Sequence, residues 1–222
     1  MREFLNKTKK CYKEWGLWGL LTLCSYRLPK AIYTMFYHFI KTGKTHPFRQ
    51  KIIFVNPGKI CGHMAPDLKT TLMAQTGFSS GAIVDGDWDL KISKLNFHEQ
   101  EVYRSCYLHF VDSLEWEDTP LYQNHVERIN RREAGDNSGL IKKLKDRYNE
   151  LDLIYHQVFH QQNMSTKYED LIKINISRDG SLIWGPDGRH RICIALILGL
   201  ESIPASIGFI HTKVLKNFQA LI

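Results

Sequence analysis

The sequence predicts an α+β chain: a small mixed sheet, helical insertions, and an N-terminal helical extension. Three stretches carry that prediction. Residues 173–211 run strand, turn, strand, helix, strand. Residues 140–162 hold a long helical period. The first 45 residues are basic and aromatic, unlike the rest.

In the first stretch, Ile174 and Ile176 alternate with polar neighbours, as on a half-buried strand. Arg178-Asp179-Gly180 forms a turn, since Asp-Gly supplies the positive φ of a tight hairpin. Ser181 to Trp184 is a second short strand. Gly185-Pro186-Asp187-Gly188 breaks the pattern, and Asp187 is expected to cap a helix from about Gly188 to Leu198. Gly199 suits the C′ position. A last strand, Ile203 to Ile210, stops at His211.

The turn before that helix is cationic. Arg189, His190 and Arg191 fill the first helical turn, where the dipole favours acids. A phosphate there takes backbone N–H bonds and a bidentate arginine. The same residues also read as a surface turn whose arginines pair with nearby acids.

The second site lies at Gly81 to Leu90. Ala82 to Val84 reads as a buried strand, followed by Asp85, Asp87 and Asp89 around Gly86 and Trp88. Alternating acids on an extended chain crowd on one side unless a cation relieves them. Mg²⁺ on Asp87 and Asp89, bridging to nucleotide phosphates, fits that need. A solvated acidic turn with Trp88 plugging the core fits it too. No Gly and distant Glu complete a calcium loop, so Ca²⁺ is excluded.

The Asp187-Gly188-Arg189-His190-Arg191 block resembles the ParB/sulfiredoxin superfamily. So do the apolar helix after it, Leu-Gly-x-x-x-Ile-Pro, and the strand ending in His. That resemblance implies a sheet of ParB/sulfiredoxin type, with ATP or CTP phosphates on the turn at Gly188, Arg189, His190 and Arg191. Arg189 stands where sulfiredoxins carry their reactive cysteine, so sulfinic-acid reduction is not implied. Val84 to Asp89 and Trp116-Glu117-Asp118-Thr119, with the same block, also resemble ParB-like proteins of unassigned function that share a Gly-Asp-Trp-Asp motif.

Taken from the beginning, residues 1–45 form a basic aromatic helical extension, and 46–222 the ParB/sulfiredoxin-like domain with a helical insertion at about 94–162. The 222 residues suit one domain with an appendage, and 43% apolar composition suits a packed core. Net charge is +7, but it is uneven. Residues 1–51 hold 11 Lys/Arg and 2 acids, while the remainder holds 19 and 21. Five scattered cysteines form no C-x-x-C pair, which favours a reducing compartment over a disulfide or zinc framework.

In the extension, Trp15 to Cys24 and Ala31 to Ile40 are apolar runs separated around Pro29. Each is shorter than the ~20 residues of a spanning helix. They read as two helices packed on the domain or a protein partner, or as an interfacial pair on an anionic membrane surface. Thr42 to Arg49 reads as a linker, and Lys51 to Val55 as a strand ended by Asn56-Pro57-Gly58. Cys61 to Ser80 has no clean period and reads as irregular. Lys94 to Asp112, Leu121 to Arg132 and Leu140 to Gln162 read as helices, the second capped by Thr119 with Pro120 at its first position.

The leading expectation is a cytoplasmic, magnesium-dependent kinase, peripheral to the membrane. It transfers phosphate from ATP or CTP to a small-molecule or glycan hydroxyl. Arg189, His190 and Arg191 hold phosphates. Asp85, Asp87, Asp89 and His190 are the catalytic candidates, and Trp88, Glu117, Asp118, Arg178 and His211 are candidates for substrate contact. It requires the cationic turn to face the three aspartates. The alternatives are a non-catalytic nucleotide-sensing module tethered to a membrane or partner, and a ParB-like nuclease or DNA-binding protein. The slightly acidic body disfavours nucleic acid.

Overall fold

The computed structural model describes residues 28–48, 50–132, 137–185 and 187–220. Among them are six α-helices and a mixed, open sheet of seven strands. The expected apolar run at Trp15 to Cys24 lies outside the described residues.

The strands are β1 (Ile52–Val55), β2 (Ile60–His63), β3 (Ala82–Val84), β4 (Ser93–Lys94), β5 (Ile172–Ile176), β6 (Leu182–Trp184) and β7 (Ile203–His211). The helices are α1 (Leu28–Thr42), α2 (Pro66–Thr76), α3 (Glu101–Phe110), α4 (Pro120–Arg132), α5 (Ser138–Gln161) and α6 (Arg189–Ile197). The sheet order is β1-β7-β5-β6-β2-β4, and β3 joins β7 beyond β1. Strand β7 pairs antiparallel with β1 over Ile203–Ser206 and parallel with β3 over Phe209–His211. On its other side it runs parallel to β5, which is antiparallel to β6.

The two sheet faces bury different sets. Ile172, Ile174 and Ile176 of β5, with Ile203, Ala205, Ile207 and Ile210 of β7, join the core formed with α3–α6. Met64, Ala82, Val84, Ile183 and Phe209 pack with Leu72 of α2 and with Trp88 in a second core. The parity of β7 shifts between these sets because β5 and β7 lose register between Ile174 and Ile176. Asn175 fills the resulting gap: its side-chain oxygen accepts the Phe209 N–H at 2.7 Å. Gly208 lies under that amide, and a Cβ there would collide with the Asn175 oxygen.

Several expectations change. Residues 61–80 are not irregular: they hold most of β2 and all of α2. Pro66 opens α2, and Gly77 closes it in the left-handed region at φ 73°, giving its N–H to Met73 O at 2.9 Å. The helix expected from Lys94 begins only at Glu101, after a short 3₁₀ turn at Phe97–Glu99. The stretch expected as a linker delivers Phe48 into the core, 7% exposed. Asp187 does not cap α6. Gly188 holds the N-cap position at φ 83°, and no side chain caps the helix. The far end forms as expected: Gly199 N–H bonds Leu196 O and Leu200 N–H bonds Ala195 O, a Schellman motif.

Candidate functional site

Strand β5 separates the two motifs. Its N-terminal residue Ile172 lies against Gly188, where an added Cβ would sit 2.6 Å from Ile172 Cγ2. Its C-terminal end leads to Arg178, which binds the acidic loop. Six residues of extended chain span roughly 20 Å. The cationic turn and the three aspartates therefore occupy opposite ends of the strand and do not face one another.

At the acidic end, the cation that relieves the crowding is Arg178. Its Nε lies 3.0 and 2.9 Å from the two oxygens of Asp89, and its Nη2 lies 2.7 Å from Asp89 Oδ1. The same Nη2 reaches Asp87 Oδ1 at 2.7 Å and Gly86 O at 3.0 Å, and the Arg178 backbone N–H bonds Asp89 Oδ2 at 2.9 Å. The Asp89 side chain is 2% exposed, whereas Asp87 is 73% exposed. Burial pushes the Asp89 carboxyl up, but the combined hydrogen bonds from Arg178 hold it below its ordinary value. The guanidinium occupies the place a metal would take, so Asp87 and Asp89 as arranged do not fit Mg²⁺. Asp85 is exposed and turns back to its neighbour, accepting the Gly86 N–H at 2.9 Å. Among the described residues no group of three or more His, Cys, Asp or Glu is placed to hold a metal.

The substrate candidates around this loop are structural. Trp88 is buried in the second core with its ring 6.2 Å from that of His211. His211 is buried; its Nε2 donates to Gly86 O at 2.8 Å, and its Nδ1 accepts the Lys213 N–H at 3.1 Å. Arg178 is consumed by the aspartates. Glu117 lies apart, paired with Lys145 at 2.8 Å, and Asp118 is exposed. The Lys145 ammonium holds the Glu117 carboxyl below its ordinary value.

The cationic end has two halves. Arg191 is taken by the protein itself: its Nη2 bonds Asp170 Oδ1 at 2.8 Å, and its Nη1 bonds Asp170 O. Asp187 likewise faces Lys69 at 2.8 Å and Lys173 at 3.9 Å, while its carbonyl accepts the Trp184 Nε1–H at 2.8 Å. Its carboxylate is directed at lysines, not at the helix amides. A cleft of about 110 Å³ opens beside Arg191, lined among others by Met164, Ser165 and Asp170. Small-molecule sites commonly occupy ~300 Å³ or more, so this cleft does not enclose a nucleotide.

Arg189 is the other half. Among the described residues it makes no hydrogen bond or ion pair, and the first turn of α6 contains no acid. Its charge reaches His63, His125 and His190 and helps depress all three, although burial is the larger cause in each. Arg147 also acts on His125 and His190, and Arg128 on His125. Burial and these cations bring His190 down to about 3. His190 is 6% exposed, and its Nε2 is buried with no partner. His125 Nδ1 lies 3.1 Å from Tyr148 Oη, and His63 stacks on Trp184 with centroids 4.6 Å apart.

Of the acids near the helix start, Asp170 is bonded by Arg191, Asp187 by Lys69 and Glu101 by Asn124, which leaves Arg189 unmatched. Sequence reasoning placed Arg189 and His190 here and missed His63, His125, Arg128, Arg147 and Tyr148. Arg147 reads only as part of the helix from Leu140 to Gln162, and His63 falls in a stretch without a clean period. Tertiary packing brings them in: the Tyr148 ring of α5 lies 6.3 Å from that of His190, and β2 carries His63 onto Trp184.

No family model matches the chain, and comparisons with curated proteins and with solved structures found no match.

Proposed function

We propose that this chain is a nucleotide-binding module of ParB/sulfiredoxin type. It holds the phosphates of ATP or CTP on the turn that opens α6, without transferring them. The observation that carries this reading is the unpartnered Arg189 at an uncapped helix start. An unpaired guanidinium at the positive end of a helix raises the free energy of the empty site, and a bound anion reverses that cost. The first-turn N–H groups and the Arg189 guanidinium are the donors, and His190, kept neutral, supports the turn from beneath.

The binding reading is preferred to kinase chemistry on geometry. A phosphotransferase needs its base and metal ligands beside the transferred group. Here Asp85, Asp87 and Asp89 lie at the far end of β5, and two of them are engaged by Arg178. Mg²⁺, where it accompanies the nucleotide, is carried by the phosphates.

The test is calorimetric titration of the full chain with ATP, CTP and inorganic triphosphate. Arg189→Ala is expected to weaken binding at least ~10-fold, as loss of a charge-assisted contact does. Asp87→Asn is expected to leave it unchanged. Equal affinity in wild type and Arg189→Ala overturns the reading, and release of nucleoside diphosphate that depends on Asp87 restores the kinase.

A further inference from the structure

Helix α1 is built inside out. Its body-facing side is polar: Thr34 and His38 are buried, with His38 fully enclosed. His38 Nε2 accepts the Ile83 N–H of β3 at 3.0 Å, so its Nδ1 carries the proton and donates to Thr45 O at 3.1 Å. Tyr37 Oη lies 3.0 Å from Thr212 Oγ1. These bonds fix the helix about its axis. The opposite side is apolar and open: Ile32 is 56% exposed, Tyr33 71%, Phe36 62%, Phe39 55% and Ile40 64%. Spacings of three and four residues join them into one stripe.

We propose that this stripe is a membrane-docking surface and that its occupant is a bilayer rich in anionic lipid. Charge argues for lipid. Residues 28–51 contain five Lys/Arg and no acid, and residues 1–27 add six Lys/Arg against two acids. An anionic bilayer offers an apolar layer to the stripe and a negative surface to the cations around it. Geometry argues for lying flat: one side of α1 is tied to β3 through His38, and the stripe on the other side runs parallel to the helix axis. Among the described residues no helix is long and apolar enough to cross a membrane. Aromatic side chains set at the interface suit that depth. The inference stands independently of nucleotide binding, because α1 shares no residue with the α6 turn.

The test is co-sedimentation of the full chain with phosphatidylcholine vesicles, with and without phosphatidylserine, comparing wild type with the double variant Phe36→Glu/Phe39→Glu. Both side chains point away from the body, so the variant is expected to melt with wild type. Wild type is expected on the phosphatidylserine vesicles, less so in high salt. The variant is expected to lose at least ~10-fold in vesicle affinity, as two charges placed in the apolar layer require. No vesicle binding by wild type, or equal binding by the variant, overturns the proposal. A wild-type dimer that the variant splits, without vesicle binding, assigns the stripe to a second copy. A lowered melting temperature of the variant, again without vesicle binding, assigns it to a cover from this chain.

Discussion

Arg178 and Asp89 form a two-sided clasp: side chain and backbone of one residue both grip the carboxylate of the other, at 2.7 to 3.0 Å. It ties the β5–β6 hairpin to the loop after β3 and accounts for the acidic motif without a ligand.

Arg178→Met is therefore expected to destabilise the chain, because it leaves the enclosed Asp89 carboxylate without its partner. The sign with pH follows from the depressed Asp89 carboxyl. Its contribution is complete above the unfolded aspartate value of about 4 and is lost as pH falls through the lower folded value. Urea denaturation between pH 7 and pH 3 should show this acid-side loss in wild type, and less of it in Arg178→Met.

His190 predicts a second pH effect of the same direction by another cause. Its folded value of about 3 lies far below the ordinary histidine value, so the unfolded chain takes up a proton that the native state refuses. Stability should fall as pH drops below about 6.5, by roughly 1.4 kcal/mol per pH unit from this residue alone. His190→Leu should flatten that slope and leave stability at pH 8 equal or higher, since an unpartnered buried nitrogen is removed. His38, His63 and His125 are also lowered and retain part of the slope.

Asp170 restrains the cationic turn. Asp170→Asn removes the charge opposite Arg191 while keeping the backbone carbonyl that also holds it. Triphosphate affinity should rise by a few fold, about 1 kcal/mol or less for one partly exposed pair. A calorimetric titration beside wild type measures it.

The sheet offers a purely structural prediction. Gly208→Ala forces the Asn175 side chain off the Phe209 amide and should cost about 1–3 kcal/mol through the orphaned N–H. Asn175→Ala orphans the same group and should cost a similar amount, and the double variant should cost less than the sum. Chemical denaturation of the three variants tests it.

The stretch from Ile174 to His211 was readable because each element carries a local signal: alternation in β5, Asp-Gly at the hairpin, Gly199 beyond α6. Helix α2 was hidden because Thr70, Thr71 and Gln75 blur its stripe, leaving only Pro66 and Gly77 as punctuation. The acidic motif reads as crowded charge in need of a cation, but the arginine that meets it lies 89 residues away, and no local pattern points to it. The alternative of arginines paired with acids holds for Arg191 and not for Arg189. These two residues, with only His190 between them, meet opposite fates because α6 presents them to different neighbours. The resemblance placed both on the phosphate, without regard to which one the chain leaves unpaired.

Strand β7 is the only described strand to touch three others, β1, β5 and β3, and most of the chain intervenes between it and β1. Until it arrives, β1 and β3 have no other described strand beside them, so the apolar faces of both stay open to other chains. Folding of this body should be slow and its newborn form prone to clumping, a hazard set by wiring order and not by final stability.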